Sequence, residues 1–142
     1  CEYLIDSMQN VWECDENEEC EMNIIIYEED LRRRLKLKQI LSQLYDGNPK
    51  VKVSSIHNEE EGFINMEREY IDVAFISWED QNGSGLFLSE KLKKKEYRLN
   101  IIVMSQQYKY IEEFWKWHMS GYITGEFTRE KILKELRNLR YT

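Results

Sequence analysis

The chain has 142 residues and a mass of 17.3 kDa, with 42% apolar and 33% charged residues, enough for one ordinary globular domain with a sizeable core. One Pro and six Gly exclude a collagen-like or linker-dominated chain, and no apolar run approaches the ~20 residues of a membrane span. The net charge of −7 sits at one end: residues 1–22 hold eight acidic residues and no basic one, and the remaining 120 hold 19 acids against 20 bases. A body so close to neutrality argues against nucleic acid as a direct partner.

Residues 1–21 read as an acidic N-terminal appendage, with Tyr3-Leu4-Ile5 and Val11-Trp12 as its apolar clusters. Its first residues carry no Lys or Arg and no long apolar run, so no secretory signal is expected. All three cysteines, Cys1, Cys14 and Cys20, fall in this segment. An odd count without a nearby His suggests free thiols in a cytoplasmic protein rather than a disulfide framework or a metal site.

From residue 22 the pattern becomes regular. Asn23–Tyr27 is a β-branched run read as a buried strand. Leu31, Leu35, Leu37, Ile40, Leu41 and Leu44 recur at helical spacing among Arg32, Arg33, Arg34, Lys36 and Lys38. Asp46-Gly47-Asn48-Pro49 ends that helix with turn chemistry. A second strand spans Lys50–Ile56. Asn58 is placed to cap a helix through Phe63, Ile64 and Met66, with Glu59, Glu60 and Glu61 favourable in its first turn. Asp72–Ser77 is a third strand, Asn82-Gly83-Ser84-Gly85 a turn, and Leu86–Lys95 a helix with Leu86, Leu88 and Leu92 inward. Asn100–Met104 is a fourth strand, Tyr108–Met119 an aromatic-rich helix and Gly121–Thr124 a short fifth strand. Phe127–Tyr141 is a last amphipathic helix, capped near Thr128, with Ile132, Leu133, Leu136 and Leu139 inward.

Five apolar strands alternating with five helices imply a parallel sheet covered on both faces. At this length the natural solution is a flavodoxin-like, doubly wound five-stranded sheet with strand order 2-1-3-4-5. Its functional crevice lies at the carboxyl ends of the strands, among Tyr27, Glu28, Glu29, Asp30, Ser77, Trp78, Ser105, Gly125 and Glu126.

In order and spacing, residues 22–142 resemble a response-regulator receiver domain (CheY-like). The resemblance places Glu28 and Glu29 where a receiver holds Mg²⁺ and Ser77 where its phosphoacceptor Asp stands. Gly85 matches the glycine eight positions on, and Ser105 and Tyr122 match the switch positions. Gly125, followed by Glu126, stands where a receiver has Lys followed by Pro. Tyr110, Trp115 and Tyr122 keep an aromatic spacing similar to receivers of LytTR-type transcription regulators. Such regulators carry a separate DNA-binding domain after the receiver, so DNA would be reached only through a domain beyond Thr142.

The departures bear on the chemistry that the resemblance implies. Ser77 removes a carboxylate nucleophile and a metal ligand, and a Ser hydroxyl without a neighbouring base is a weak nucleophile. Gly125 removes an ammonium with three donors. Glu28 and Glu29 are one methylene longer than an Asp pair, and Mg²⁺ demands near-octahedral geometry, so the expected Mg²⁺ site is weak at best. The same pair also reads simply as surface acids beside a helix N-terminus, and Ser105 and Tyr122 read simply as packing residues. Acceptance at Asp80, three residues after Ser77, is a displaced-acceptor alternative.

The run Phe114-Trp115-Lys116-Trp117-His118-Met119 carries more aromatic bulk than one helix buries against one sheet, so at least one large ring should be exposed. With Tyr110, Trp115 and Trp117 it marks an interface. The resemblance assigns this face, from the fourth helix to the fifth, to homodimerisation or to an output domain. His118 and His57 have no sequence partners that suggest a ligand or catalytic role.

The expectation is a cytoplasmic pseudo-receiver: a degenerate, phosphorylation-independent module of a two-component-type regulator, acting by protein contact, with no catalytic residues, no cofactor beyond a weak Mg²⁺ site and no membrane association. A small-molecule sensor using the vacated crevice is the alternative, with Trp78 as reporter. An enzyme is disfavoured, because no Gly-rich phosphate loop follows the first strand.

Overall fold

In a computed structural model, the described residues are 22–79, 83–106 and 109–141. The expectations placed on Cys1, Cys14, Cys20, Asp80, Asn82 and Tyr108, and on the appendage, lie outside them. Among the described residues five strands alternate with five helices: β1 (Met22–Tyr27), α1 (Leu31–Leu44), β2 (Val51–Ser55), α2 (Glu59–Arg68), β3 (Val73–Ser77), α3 (Ser84–Lys95), β4 (Ile101–Met104), α4 (Ile111–Lys116), β5 (Gly121–Ile123) and α5 (Arg129–Arg137). Every neighbouring strand pair is parallel, in the order β2-β1-β3-β4-β5. This is the doubly wound, flavodoxin-like arrangement expected from the alternation.

The two-residue period of the strands divides the core. Ile24, Ile26, Val73, Phe75, Ile102 and Met104 point to one face, where Leu37, Leu41 and Leu44 of α1 and Ile132 and Leu136 of α5 cover them. Ile25, Tyr27, Ala74, Ile76, Ile101 and Val103 point to the other, under Leu88 and Leu92 of α3 and Phe114 of α4. β1, β3 and β4 are buried throughout, as both-face coverage requires.

Caps set the helix ends. The Asp30 side chain accepts from the Arg33 N–H at 3.1 Å, Asn58 from Glu61 at 2.9 Å and Thr128 from Lys131 at 3.2 Å. The apolar spacing of α1 overstates its buried stripe: Leu31 and Leu35 are 57% and 54% exposed. At about 100° per residue they lie roughly opposite Leu37, Leu41 and Leu44. The fourth helix is also shorter than its aromatic run suggests. His118 adopts a left-handed φ of 56°, and the N–H groups of His118 and Met119 turn back to the carbonyls of Trp115 and Phe114, a Schellman closure after one and a half turns. The fifth helix likewise starts at Arg129 rather than Phe127, because Thr128 is its cap, and it ends at Arg137.

Candidate functional site: the crevice at the strand ends

The carboxyl ends of β1, β3, β4 and β5 bring Glu28, Ser77, Ser105 and Gly125 to one end of the sheet. The acidic pair does not act as a pair. Glu28 is buried, and its Oε1 accepts from the Asp30 N–H at 3.2 Å. Its Oε2 faces the Arg33 Nε at 3.7 Å. Glu29 is exposed and accepts from the Tyr27 hydroxyl at 3.0 Å. The reading of both as surface acids therefore fails for Glu28, since the residue after β1 continues the strand's parity and turns under α1.

Ser77 is buried at the end of β3, and its Oγ accepts from the Glu79 N–H at 3.4 Å. The Glu79 carboxylate in turn accepts from the Gln106 N–H. The Gln106 carboxamide donates to the Gly125 carbonyl at 3.3 Å. A hydrogen-bonded run thus links the segments after β3, β4 and β5. Glu79 and Gln106 carried no motif that would have singled them out.

Gly125 takes φ 74°, a conformation that suits glycine. An ammonium reaches it from another element: Lys131 of α5 donates to the carbonyls of Thr124 (2.7 Å) and Glu126 (3.3 Å), and a Cβ on Gly125 would lie 3.3 Å from its Nζ. The cation there is spent on backbone carbonyls.

Ser105 is buried, and its N–H donates to the Ile123 carbonyl at 3.0 Å. Tyr122 is half-buried, its ring edge-on to Phe114 with centroids 5.6 Å apart.

A Mg²⁺ ion does not suit this donor set. One oxygen of Glu28 faces a guanidinium, Glu29 is turned to Tyr27, and Ser77 offers no carboxylate. Among the described residues no cluster of three or more His, Cys, Asp or Glu could hold a metal.

Trp78 does not line the crevice. It is 3% exposed, its N–H bonds the Met104 carbonyl at 3.0 Å, and its indole donates to Ser89 Oγ at 2.9 Å. Strand parity runs one residue beyond β3 and turns this ring under α3 and edge-on to Tyr110. On the aromatic face Trp115 is 66% exposed, whereas Tyr110 and Trp117 are half-buried and pack on the core.

His57 is exposed after β2, and its N–H donates to Glu61. His118 lies at the opposite end of the sheet from the crevice, where its Nδ1 is 2.6 Å from Arg140 Nη2. There too is a residue the helical pattern disguised. Lys93 reads as one of three consecutive lysines, yet it is 1% exposed. Its ammonium donates to the carbonyls of Tyr97 (2.5 Å), Leu99 (3.1 Å) and His118 (3.4 Å) and stands 4.8 Å from the Tyr141 ring centre. Burial and the nearby Arg140 guanidinium push its pKa down to about 8. Asn100 holds the Tyr141 backbone beside it, accepting from its N–H at 2.8 Å and donating to its carbonyl at 2.6 Å.

This fold is that of response-regulator receiver domains. The chain is similar to the Vibrio cholerae chemotaxis protein CheY4 (TM-score 0.68, 13% identity, covering 83% of this chain and 98% of that one). It is similar to a CheY-like receiver domain protein of Methanospirillum hungatei (0.67, 18%, 83% and 92%). It also matches the CheX–CheY–BeF₃–Mg complex of Borrelia burgdorferi (0.65, 18%, 81% and 86%). No family model and no curated relative matches the sequence. No helix among the described residues is long and apolar enough to cross a membrane.

Proposed function

We propose that the chain is the receiver-type module of a bacterial cytoplasmic signalling or transcription-control protein, and that it works by protein contact without aspartyl phosphorylation. The observation that carries this reading is the end of β3, where a buried Ser77 hydroxyl is bonded to a backbone N–H; the resemblance to receivers expects an attacking carboxylate at that strand end. Two further features support it. The Lys131 ammonium near Gly125 is bound to main-chain carbonyls, and Glu28 is held by Arg33. The module is a binding protein rather than an enzyme and needs no cofactor. Its partner is a second copy of the chain, met through the face of α4, β5 and α5, where Trp115 is exposed. A solved neighbour of this fold is itself a complex, between CheX and CheY. DNA contact belongs to a separate output domain.

Intact-mass spectrometry after incubation with acetyl phosphate and Mg²⁺, beside a Ser77→Asp variant, tests the reading. The parent should gain no phosphoryl mass. An adduct on the parent would overturn it and, if fragmentation maps it to Asp80, restore a phosphorelay role with a displaced acceptor.

A further inference from the structure

We propose that Arg33 is the resident cation of the crevice: its guanidinium balances Glu28 and closes the acidic site to divalent metal ions. The inference deepens the phosphorylation-independent reading and rests on the same site.

A carboxylate as buried as Glu28, whose side chain is 5% exposed, is costly unless a cation or donors compensate it. The Asp30 N–H serves Oε1. Among the described residues Oε2 has no hydrogen-bond partner, and neither has Arg33 Nε; these two atoms face each other at 3.7 Å. One ring contact on the guanidinium and two ties of the α1 start set its position. Its residue is locked in the first turn of α1 by the bond from its N–H to Asp30. The guanidinium carbon lies 4.4 Å from the ring centre of Phe127, a buried residue just before α5. The neighbouring Arg34 bonds the Glu28 carbonyl at 3.0 Å, which ties α1 down over the end of β1.

A hard divalent cation requires several oxygens at short distance. The buried oxygen that would lead the set is Glu28 Oε2. To use it, the ion would have to displace a guanidinium or sit against it as a like charge in a poorly solvated place. Replacing Arg33 by an uncharged side chain reverses this balance. It leaves a buried, uncompensated carboxylate with the Ser77 and Ser105 hydroxyls at the same end of the sheet.

Mn²⁺ is the probe, followed as free ion by electron paramagnetic resonance and as a shift in melting temperature. We expect the parent to show no saturable binding up to millimolar Mn²⁺. Arg33→Met should bind at least tenfold more tightly and melt higher when Mn²⁺ is added, and the double variant Arg33→Met/Glu28→Gln should lose both effects. Arg33→Gln, which keeps a polar head over Phe127, is read in the same way if Arg33→Met does not fold. Saturable, Glu28-dependent binding by the parent would overturn the inference, as would a folded Arg33 variant that gains nothing. These outcomes are separate from phosphoryl transfer: an acetyl phosphate adduct on the parent would sink the proposed function, whereas metal binding without an adduct would sink only the role of Arg33.

Discussion

The α-carbon of Gly85 sits so close to the end of β3 that a Cβ on it would lie 1.7 Å from the Ser77 carbonyl oxygen. The first turn of α3 rests directly on the strand residue that defines the crevice, and only a residue without a side chain permits it. The neighbouring Ser89 hydroxyl, donating to the Gly85 carbonyl at 2.8 Å, holds the turn in place.

Gly85→Ala is therefore expected to push α3 off β3. Because the clashing atom belongs to the backbone, relaxation is expensive, and the loss of stability should be about 3 kcal/mol, at the upper end for an overpacked site. Urea unfolding of the parent and the variant checks this. A change below about 0.5 kcal/mol, the size of an ordinary surface substitution, would mean that α3 is free to shift.

Trp115 and Phe114 are adjacent on α4 but differ in burial, at 66% and 8% exposed. Trp115→Ala should leave stability within about 0.5 kcal/mol of the parent, while Phe114→Ala should cost about 3–5 kcal/mol. If the aromatic face pairs two copies, Trp115→Ala also shifts sedimentation from dimer to monomer. An unchanged sedimentation profile would remove Trp115 from the interface.

Lys93 makes stability depend on pH in the alkaline range. Its folded pKa of about 8 lies below the ordinary 10.5. Between those values the unfolded chain holds a proton that the folded chain has released, so stability rises with pH. From pH 8 to 9.5 the parent should gain up to about 2 kcal/mol relative to Lys93→Met, read from denaturation midpoints. Parallel pH profiles would show that the three carbonyls keep the ammonium charged in the folded protein.

Much of the molecule was legible in the residues. β-branched runs at regular spacing marked the strands, and Asn58 and Thr128 marked two helix starts through their own side-chain chemistry. That Ser stands at 77 and Gly at 125 is a fact of covalent structure, and the order of the strands places both at one end of the sheet. What the residues did not show has one cause. Arg33 and Lys93 stand in basic runs that look like solvated helix faces, and Trp78 follows a strand as though in a loop.

The sequence by itself determined the element order, the parallel sheet and the residue types that stand at the strand ends, because apolar periodicity and residue type act over a few neighbouring positions. Only the tertiary structure decided which charges are buried and what they meet. Arg33 finds Glu28 across the β1–α1 turn and Phe127 from the far end of the chain, while Lys93 collects carbonyls from two loops and the ring of Tyr141. Such partners are set by which helix covers which face of the sheet, and burial then gives each pairing its weight, since a charge removed from water depends on the few groups left beside it.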